Sequence, residues 1–264
     1  MTATTTGSAE RWGPLWGAKP ADWASIEEQQ APTYEEAIRR VGVAPGQRVL
    51  EVGCGTGSFL RLAADRGAEV FGLDASEALL ALARERVPEA DLRQGDLQFL
   101  PYDGETFDLV AGFNSFFFAA DVVAALREAG RVAKPGAPVV IQVWGPPERC
   151  DLTALKDAIA PFLPPPDPDA PAAPALHEPG VLEHLAEEAG LTAQTTFDTS
   201  WAYVFPDEDA LVRAMLAPAN VVVAARQGGE DAVGRAVAAA LAPFRAPDGG
   251  YRLENEWHYL VASA

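Results

Sequence analysis

Seven consecutive residues, Glu51-Val52-Gly53-Cys54-Gly55-Thr56-Gly57, set an acid two positions before three alternating glycines. Glycine lets a backbone turn sharply and approach a ligand with no Cβ in between. Arg48 to Val52 ahead of the loop is short, apolar and β-branched, and a helical pattern runs from Ser58 to about Arg66. Strand, glycine loop and helix in series put the loop at the carboxyl end of a strand, where α/β proteins hold nucleotides. Alone, the loop fits any nucleotide-binding α/β protein.

Two further acids narrow that choice. Asp74 ends Val70-Phe71-Gly72-Leu73-Asp74, about 20 residues beyond the loop, where a carboxylate can accept hydrogen bonds from both ribose hydroxyls. Asp96 follows in Gln94-Gly95-Asp96-Leu97, and Phe107-Asp108-Leu109-Val110 enters a later strand. A nicotinamide-type G-x-G-x-x-G needs glycine at position 58, which is Ser58 here. Taken singly, Glu51 and Asp74 also read as ordinary strand-end carboxylates, and Asp96 as a turn residue.

In this order and spacing the motifs resemble those of the class I S-adenosylmethionine-dependent methyltransferase family, over Val41 to Trp144. The resemblance implies S-adenosyl-L-methionine as cofactor and transfer of its methyl group to a small organic molecule. It implies that Gly53, Cys54, Gly55 and Gly57 pass under the methionine part and ribose, and that Glu51 supports the loop and the cofactor ammonium. Asp74 would hold the ribose hydroxyls, and Ala75 would lie against adenine. Asp96 would accept from the adenine amino group beside the Leu97 backbone, while Phe113 and Asn114 would face the methionine end. Two other readings stay open: the same scaffold binding the cofactor without methylating, as a pericyclase-like catalyst or binding module, and an NAD-dependent oxidoreductase. Ser58 and Asp96 speak against the second.

The elements that must position these residues alternate along the chain. Glu69 to Leu73, Asp91 to Gln94, Phe107 to Gly112 and Pro138 to Val143 read as strands, with helices at Ser76 to Arg86 and Asp121 to Val132. Such alternation implies an α/β fold: a Rossmann-like, mostly parallel sheet with helices on both faces, plus a cap from the N-terminal arm and C-terminal insertions. The expected organisation is an arm or lid at 1–32, a cofactor-binding core at 33–145, a Pro-rich insertion and substrate cap interleaved with late core elements at 146–250, and a terminal core strand at 251–264.

Trp12, Trp16 and Trp23, with Gly13, Pro14, Gly17 and Pro20, predict a short structured arm rather than a core helix, either packed on the domain or closed over a ligand. Thr33 to Val41 is expected to be helical. Pro164-Pro165-Pro166, Pro168, Pro171 and Pro174 crowd around a helical stretch from Leu152 to Ala160. Beyond them, Pro179 to Ala189, Asp207 to Leu216 and Asp231 to Leu241 read as helices, and Thr192 to Val204 and Tyr251 to Ala262 as strands. Ala-rich helices such as Ala232 to Leu241 suit closure on the same domain or on a neighbouring copy.

Methyl transfer at a sulfonium is an in-line displacement, for which alignment in a dry pocket supplies much of the catalysis. No catalytic base is therefore assigned. His177, at the end of the Pro-rich insertion, is open to two readings, a loop residue or one facing a pocket; His184 reads as a surface or packing residue and His258 as a satisfied structural one. The histidines lack H-x-x-x-H spacing and Cys54 and Cys150 lie far apart, so neither a metal site nor a disulfide framework is expected. Core packing is expected for most of Phe116 to Phe118, and packing or stacking for Trp12, Trp16, Trp23 and Trp144.

A net charge of −18 opposes nucleic acid and anionic membranes as partners, because phosphate surfaces require clustered Lys and Arg. No run of about 18 apolar residues occurs, and Met1 to Glu10 lacks a basic region followed by an apolar one, so a cytoplasmic protein is expected.

Overall fold

Val49, Leu50 and Val52 are fully shielded from solvent, as a strand covered on both faces requires. The computed structural model describes residues 7–165 and 174–264; Met1 to Thr6 and the prolines Pro166, Pro168 and Pro171 lie outside the described residues. The chain opens with α1 (Ala9–Trp16), α2 (Pro20–Glu27) and α3 (Ala31–Val41). It continues through β1 (Arg48–Val52), α4 (Ser58–Ala64), β2 (Glu69–Asp74), α5 (Glu77–Arg86), β3 (Asp91–Gln94), β4 (Leu109–Phe113), α6 (Val122–Val132) and β5 (Pro138–Trp144). The remainder is α7 (Ala154–Ile159), α8 (Val181–Glu188), β6 (Thr192–Phe205), α9 (Glu208–Met215), α10 (Ala219–Gly228), α11 (Glu230–Leu241) and β7 (Tyr251–Ser263).

The strands form one sheet in the order β3-β2-β1-β4-β5-β7-β6. The first five run parallel. Only β7 is reversed, antiparallel to both β5 and β6. Strand order changes direction between β1 and β4, and such a switch point opens a crevice beyond the strands' carboxyl ends. The ends of β1, β2 and β4 bring Glu51, Asp74 and Phe113 to that crevice.

Side chains alternate between the faces with the period of two that pleating imposes. Val49, Val140 and Tyr259 join Ile38, Phe59, Leu155, Leu211 and Val237 in one core, beneath α3, α4, α7, α9 and α11. Leu50, Val52, Ile141 and Leu260 join Leu126, Val132 and Leu182 in the other, beneath α6 and α8. Glu51, two residues from Val49, shares the first face and points toward the side where the arm lies.

The arm departs from the sequence reading, because it folds as two helices. Pro20 occupies the start of α2, where its missing N–H would be unpaired in any case. The arm's glycines mark close approach, Gly13 within α1 and Gly17 in the turn that ends it: a Cβ on Gly13 would lie 2.3 Å from the Ala75 carbonyl oxygen, and one on Gly17 2.5 Å from Ser76 Oγ. The arm is thus seated directly on the turn after β2. Helix α10, which the sequence pattern left without an element, contains Val221-Val222-Val223, a run with strand propensity. Burial of Ala219 and Val222 against Leu15 of α1 overrides it.

Trp257 in β7 is fully buried. Its ring stacks on Trp144 at 5.3 Å and meets Tyr203 edge-on at 5.9 Å, forming the support beneath the crevice wall. Trp257→Ala is expected to lower unfolding free energy by about 3–5 kcal/mol, measured by urea denaturation; a loss below about 1 kcal/mol would show that this wall bears little of the fold's stability.

Candidate active site

The loop after β1 is held by backbone geometry. The N–H groups of Gly53 and Cys54 both donate to the Leu73 carbonyl, at 2.7 and 3.0 Å, which clips the loop to the end of β2. Gly53 has φ +80°, and a Cβ there would lie 2.4 Å from Ser115 Cβ, so sterics and backbone conformation both demand glycine. Ser115 Oγ donates to the Val52 carbonyl at 2.6 Å and closes the loop from the β4 side. Cys54 is buried and free, and burial pushes its thiol well above the ordinary range, so it packs rather than acting as a nucleophile.

Asp74 sits beside this clip. Its Oδ2 accepts from Gly55 N–H at 2.9 Å and its Oδ1 from Ser76 N–H at 2.8 Å. Burial outweighs those bonds and raises its pKa to about 6. Glu51 is 3% exposed and its Oε2 has no partner. Burial first, then the charges of Glu27 and Asp74, push its pKa well above the usual carboxylate range.

Sequence reasoning missed Glu27, at the end of α2. Its carboxylate accepts from Thr56 N–H at 2.9 Å, Ser58 N–H at 3.2 Å and Trp23 Nε1 at 3.0 Å. Burial raises its pKa, partly offset by those loop bonds and by Arg86. The available signal was the i,i+4 spacing of Trp23 and Glu27, which puts indole and carboxylate on one helix face. The arm also reaches Asp96: Ala9 N–H donates to Asp96 Oδ2 at 2.7 Å, and Gln98 N–H to Oδ1 at 2.9 Å.

These groups surround a cavity of about 580 Å³. Ten of the eleven residues singled out in the sequence line it; Gly57 instead forms the left-handed turn into α4. Ala75 faces Gly13 and accepts from Gln94 Nε2 at 3.0 Å. Leu97 lies on the wall beside Asp96. The Phe113 ring packs 4.7 Å from both Tyr34 and Phe59. Asn114 has φ +51°, and both polar atoms of its amide are buried without partners.

All four tryptophans of interest reach the wall and also pack, Trp16 edge-on to Trp23 at 4.5 Å and Trp12 to Phe118 at 5.0 Å. Of the three phenylalanines expected mostly in the core, only Phe116 is fully buried; the short 3-10 turn at Phe116–Phe118 swings the other two onto the wall. His177 lines the cavity. His184 is exposed beside Glu188. His258 is only half satisfied: Nδ1 lies 2.7 Å from Asp198 Oδ1, while Nε2 is buried without a partner.

The donor set fits S-adenosylmethionine. An unpartnered buried carboxylate, Glu51, calls for a cationic or N–H donor, and the Asn114 amide offers both a donor and an acceptor. The glycine floor leaves room for a ligand against the backbone. A pyrophosphate fits poorly, because it would need loop N–H groups that Glu27 already holds and would face three carboxylates.

Residues 50–141 match the family described as methyltransferase domain. Over 145 residues the chain is 37% identical to a demethylmenaquinone methyltransferase of Renibacterium salmoninarum, covering 49% of this chain and 61% of that protein. The match therefore stops well short of that relative's full length. Over 149 residues it is 36% identical to a phosphatidylethanolamine N-methyltransferase of Cereibacter sphaeroides, covering 53% of this chain and 73% of that one. The fold of an S-adenosylmethionine-dependent methyltransferase from Aquifex aeolicus superposes with a TM-score of 0.52 at 15% identity, over 88% of this chain and 89% of that one.

The raised pKa of Asp74 has a defined sign. Between its ordinary 3.8 and about 6, the native state keeps a proton that the unfolded chain has released, so stability falls as pH rises through that window. The full shift corresponds to about 3 kcal/mol as an upper bound. Asp74→Asn removes this component, so the variant should gain stability relative to wild type between pH 4 and 7 (about the window above) in urea denaturation. A difference independent of pH would show that Asp74 ionises without penalty.

Proposed function

The chain belongs to the class I S-adenosylmethionine-dependent methyltransferase family, and we propose that it transfers the donor's methyl group to a small organic molecule enclosed beneath its aromatic cap. The observation that carries this reading is the buried, unpartnered Glu51 carboxylate at the end of β1, facing a cavity floored by the glycine loop. When bound, S-adenosylmethionine supplies an electrophilic methyl group on a positively charged sulfur.

The residues divide the work of holding it. Glu51 accepts from the ammonium and Asp74 from the ribose hydroxyls, each by charge-assisted hydrogen bonds. Ala75 and Leu97 flank the adenine, and Asp96 accepts from its amino group while retaining the Ala9 N–H that anchors the arm. Gly53, Cys54 and Gly55 form the floor, and Gly57 shapes the turn behind it. Asn114 and Phe113 bound the methionine end.

The acceptor occupies the space between arm and cap, walled by Trp12, Trp144, Leu152 and Met215. That wall is apolar enough to exclude water and enclosed enough to hold a nucleophile in line with the methyl group. His177 and Lys156, both from the Pro-rich insertion, lie on this wall, and the His177 imidazole is placed to take a proton where the acceptor carries one. Two relatives are named for demethylmenaquinone and phosphatidylethanolamine, both lipids and neither protein nor nucleic acid, which supports an acceptor that is not a macromolecule. Among the described residues no helix is long and apolar enough to cross a membrane.

Calorimetric titration should show micromolar binding of S-adenosylmethionine and no binding of NADH, followed by a mass gain of one methyl group in a small-molecule acceptor screen. Glu51→Gln and Asp74→Ala should each weaken the donor by about 10- to 100-fold, the worth of one charge-assisted hydrogen bond. NADH binding alone would return the glycine loop to hydride-transfer chemistry. Donor binding with no methylated product across the screen would favour a scaffold that binds without methylating.

A further inference from the structure

Three carboxylates are buried around one loop. Glu27, Glu51 and Asp74 are 5%, 3% and 8% exposed, and all three line the cavity. Arg86 partly offsets Glu27 from behind the loop, where its guanidinium donates to Thr56 Oγ1 and Ser58 Oγ at 2.6 Å. Among the described residues no cation offsets Glu51 in this way; it faces Glu27 and Asp74, and its Oε2 is unpartnered.

Two of these acids are fixed to the sheet, but Glu27 belongs to the arm. Its carboxylate reaches over Gly55, where a Cβ would lie 2.4 Å from Glu27 Oε2, and bonds the N–H groups of Thr56 and Ser58. Seating α2 therefore brings a third acid against the other two, and the negative charge they share repels. That repulsion opposes closure when the cavity holds no positive charge and is relieved when it does.

We propose that Glu27 is a specificity-determining residue that makes closure of the arm depend on the charge of the bound nucleoside, so that the cationic sulfonium donor is held and the neutral thioether product is released. The inference rests on the methyl-donor reading above. In the transfer, the acceptor's electron pair forms the new bond to the methyl carbon, and the pair of the breaking sulfur–carbon bond stays on sulfur. Sulfur thereby loses its positive charge, which passes to the acceptor or leaves with its proton. The product keeps the ammonium and carboxylate of the amino-acid end and has no net charge to set against three carboxylates.

The test is calorimetric titration of wild type and Glu27→Gln with S-adenosylmethionine, S-adenosylhomocysteine and sinefungin, whose amine places a positive charge near the sulfonium position. The Gln carbonyl can still accept from the loop. Wild type should bind both cationic ligands at least about tenfold tighter than S-adenosylhomocysteine, and in Glu27→Gln that preference should shrink to within about threefold. Hydrogen exchange of residues 9–30 in wild type should slow with the two cationic ligands and little with S-adenosylhomocysteine, a readout that stands even where the variant fails to fold. Equal affinities in wild type, an unchanged preference in a folded Glu27→Gln, or equal protection of the arm by all three ligands would overturn the proposal. Binding of no nucleoside by wild type would instead overturn the donor reading itself, and this inference with it.

Discussion

The site depends on one carbonyl. Leu73, the last apolar residue of β2, accepts from both Gly53 and Cys54 N–H, and this pair of bonds bends the loop after β1 across the neighbouring strand's end. Asp74 is the next residue, so the same clip sets its carboxylate against Gly55 N–H. With Gly53 pressed on Ser115 and Ser115 tied to Val52, the loop, Asp74 and the β4 turn become one rigid piece. A ligand meets a surface whose conformation is already fixed, and little ordering remains to be done on binding.

Rigidity of that kind permits an arrangement of charge that a softer site would relax away. Carboxylates carried on long free side chains would turn toward water, but Glu51 sits on a central strand covered on both faces, and Asp74 is held by two backbone N–H groups. Their raised pKa values follow from burial first; the charges of Glu27 and Asp74 add to it at Glu51, whereas at Asp74 the two backbone N–H bonds pull the other way. The chain's overall excess of acidic residues is a separate matter. Several surface acids pair locally with arginine, as Glu77 does with Arg84 and Asp65 with Arg61, and such exposed pairs contribute little to the field inside the cavity.

How much of this was legible follows from where each residue lies relative to a repeating pattern. The glycine loop, Asp74 and Asp96 could be read because each stands at the end of a short apolar strand, and parallel sheets put strand ends side by side. The arm could not, since Gly13 and Gly17 have the composition of a turn but the function of a contact surface, which only the position of Ala75 and Ser76 reveals. Glu27 was hidden for the same reason: the i,i+4 spacing from Trp23 puts it on one helix face with an indole, but the partners that bury it, Thr56 and Ser58, belong to another segment. Helix α10 was lost because a run of valines favours a strand, and only packing on α1 decides otherwise. Phe117 and Phe118 carry core composition, yet a three-residue 3-10 turn sends them to the cavity.

The two halves of the cavity accordingly answer to different constraints. The half made by β1, β2 and β4 is specified by backbone: a positive φ, a missing Cβ and a shared carbonyl leave few alternatives at each position. The half made by the arm, α7 and the wall around Tyr203 and Met215 is specified mainly by side-chain volume, through ring contacts such as Trp144 on Trp257 and Trp16 on Trp23. Volume can be redistributed among apolar residues at small cost, whereas a left-handed glycine or a buried acid bond cannot. A fold built this way specifies the strand-end half of the cavity position by position and leaves the arm-and-cap half tolerant of apolar exchange, which is why the legible motifs concentrate before Trp144 and thin out beyond it.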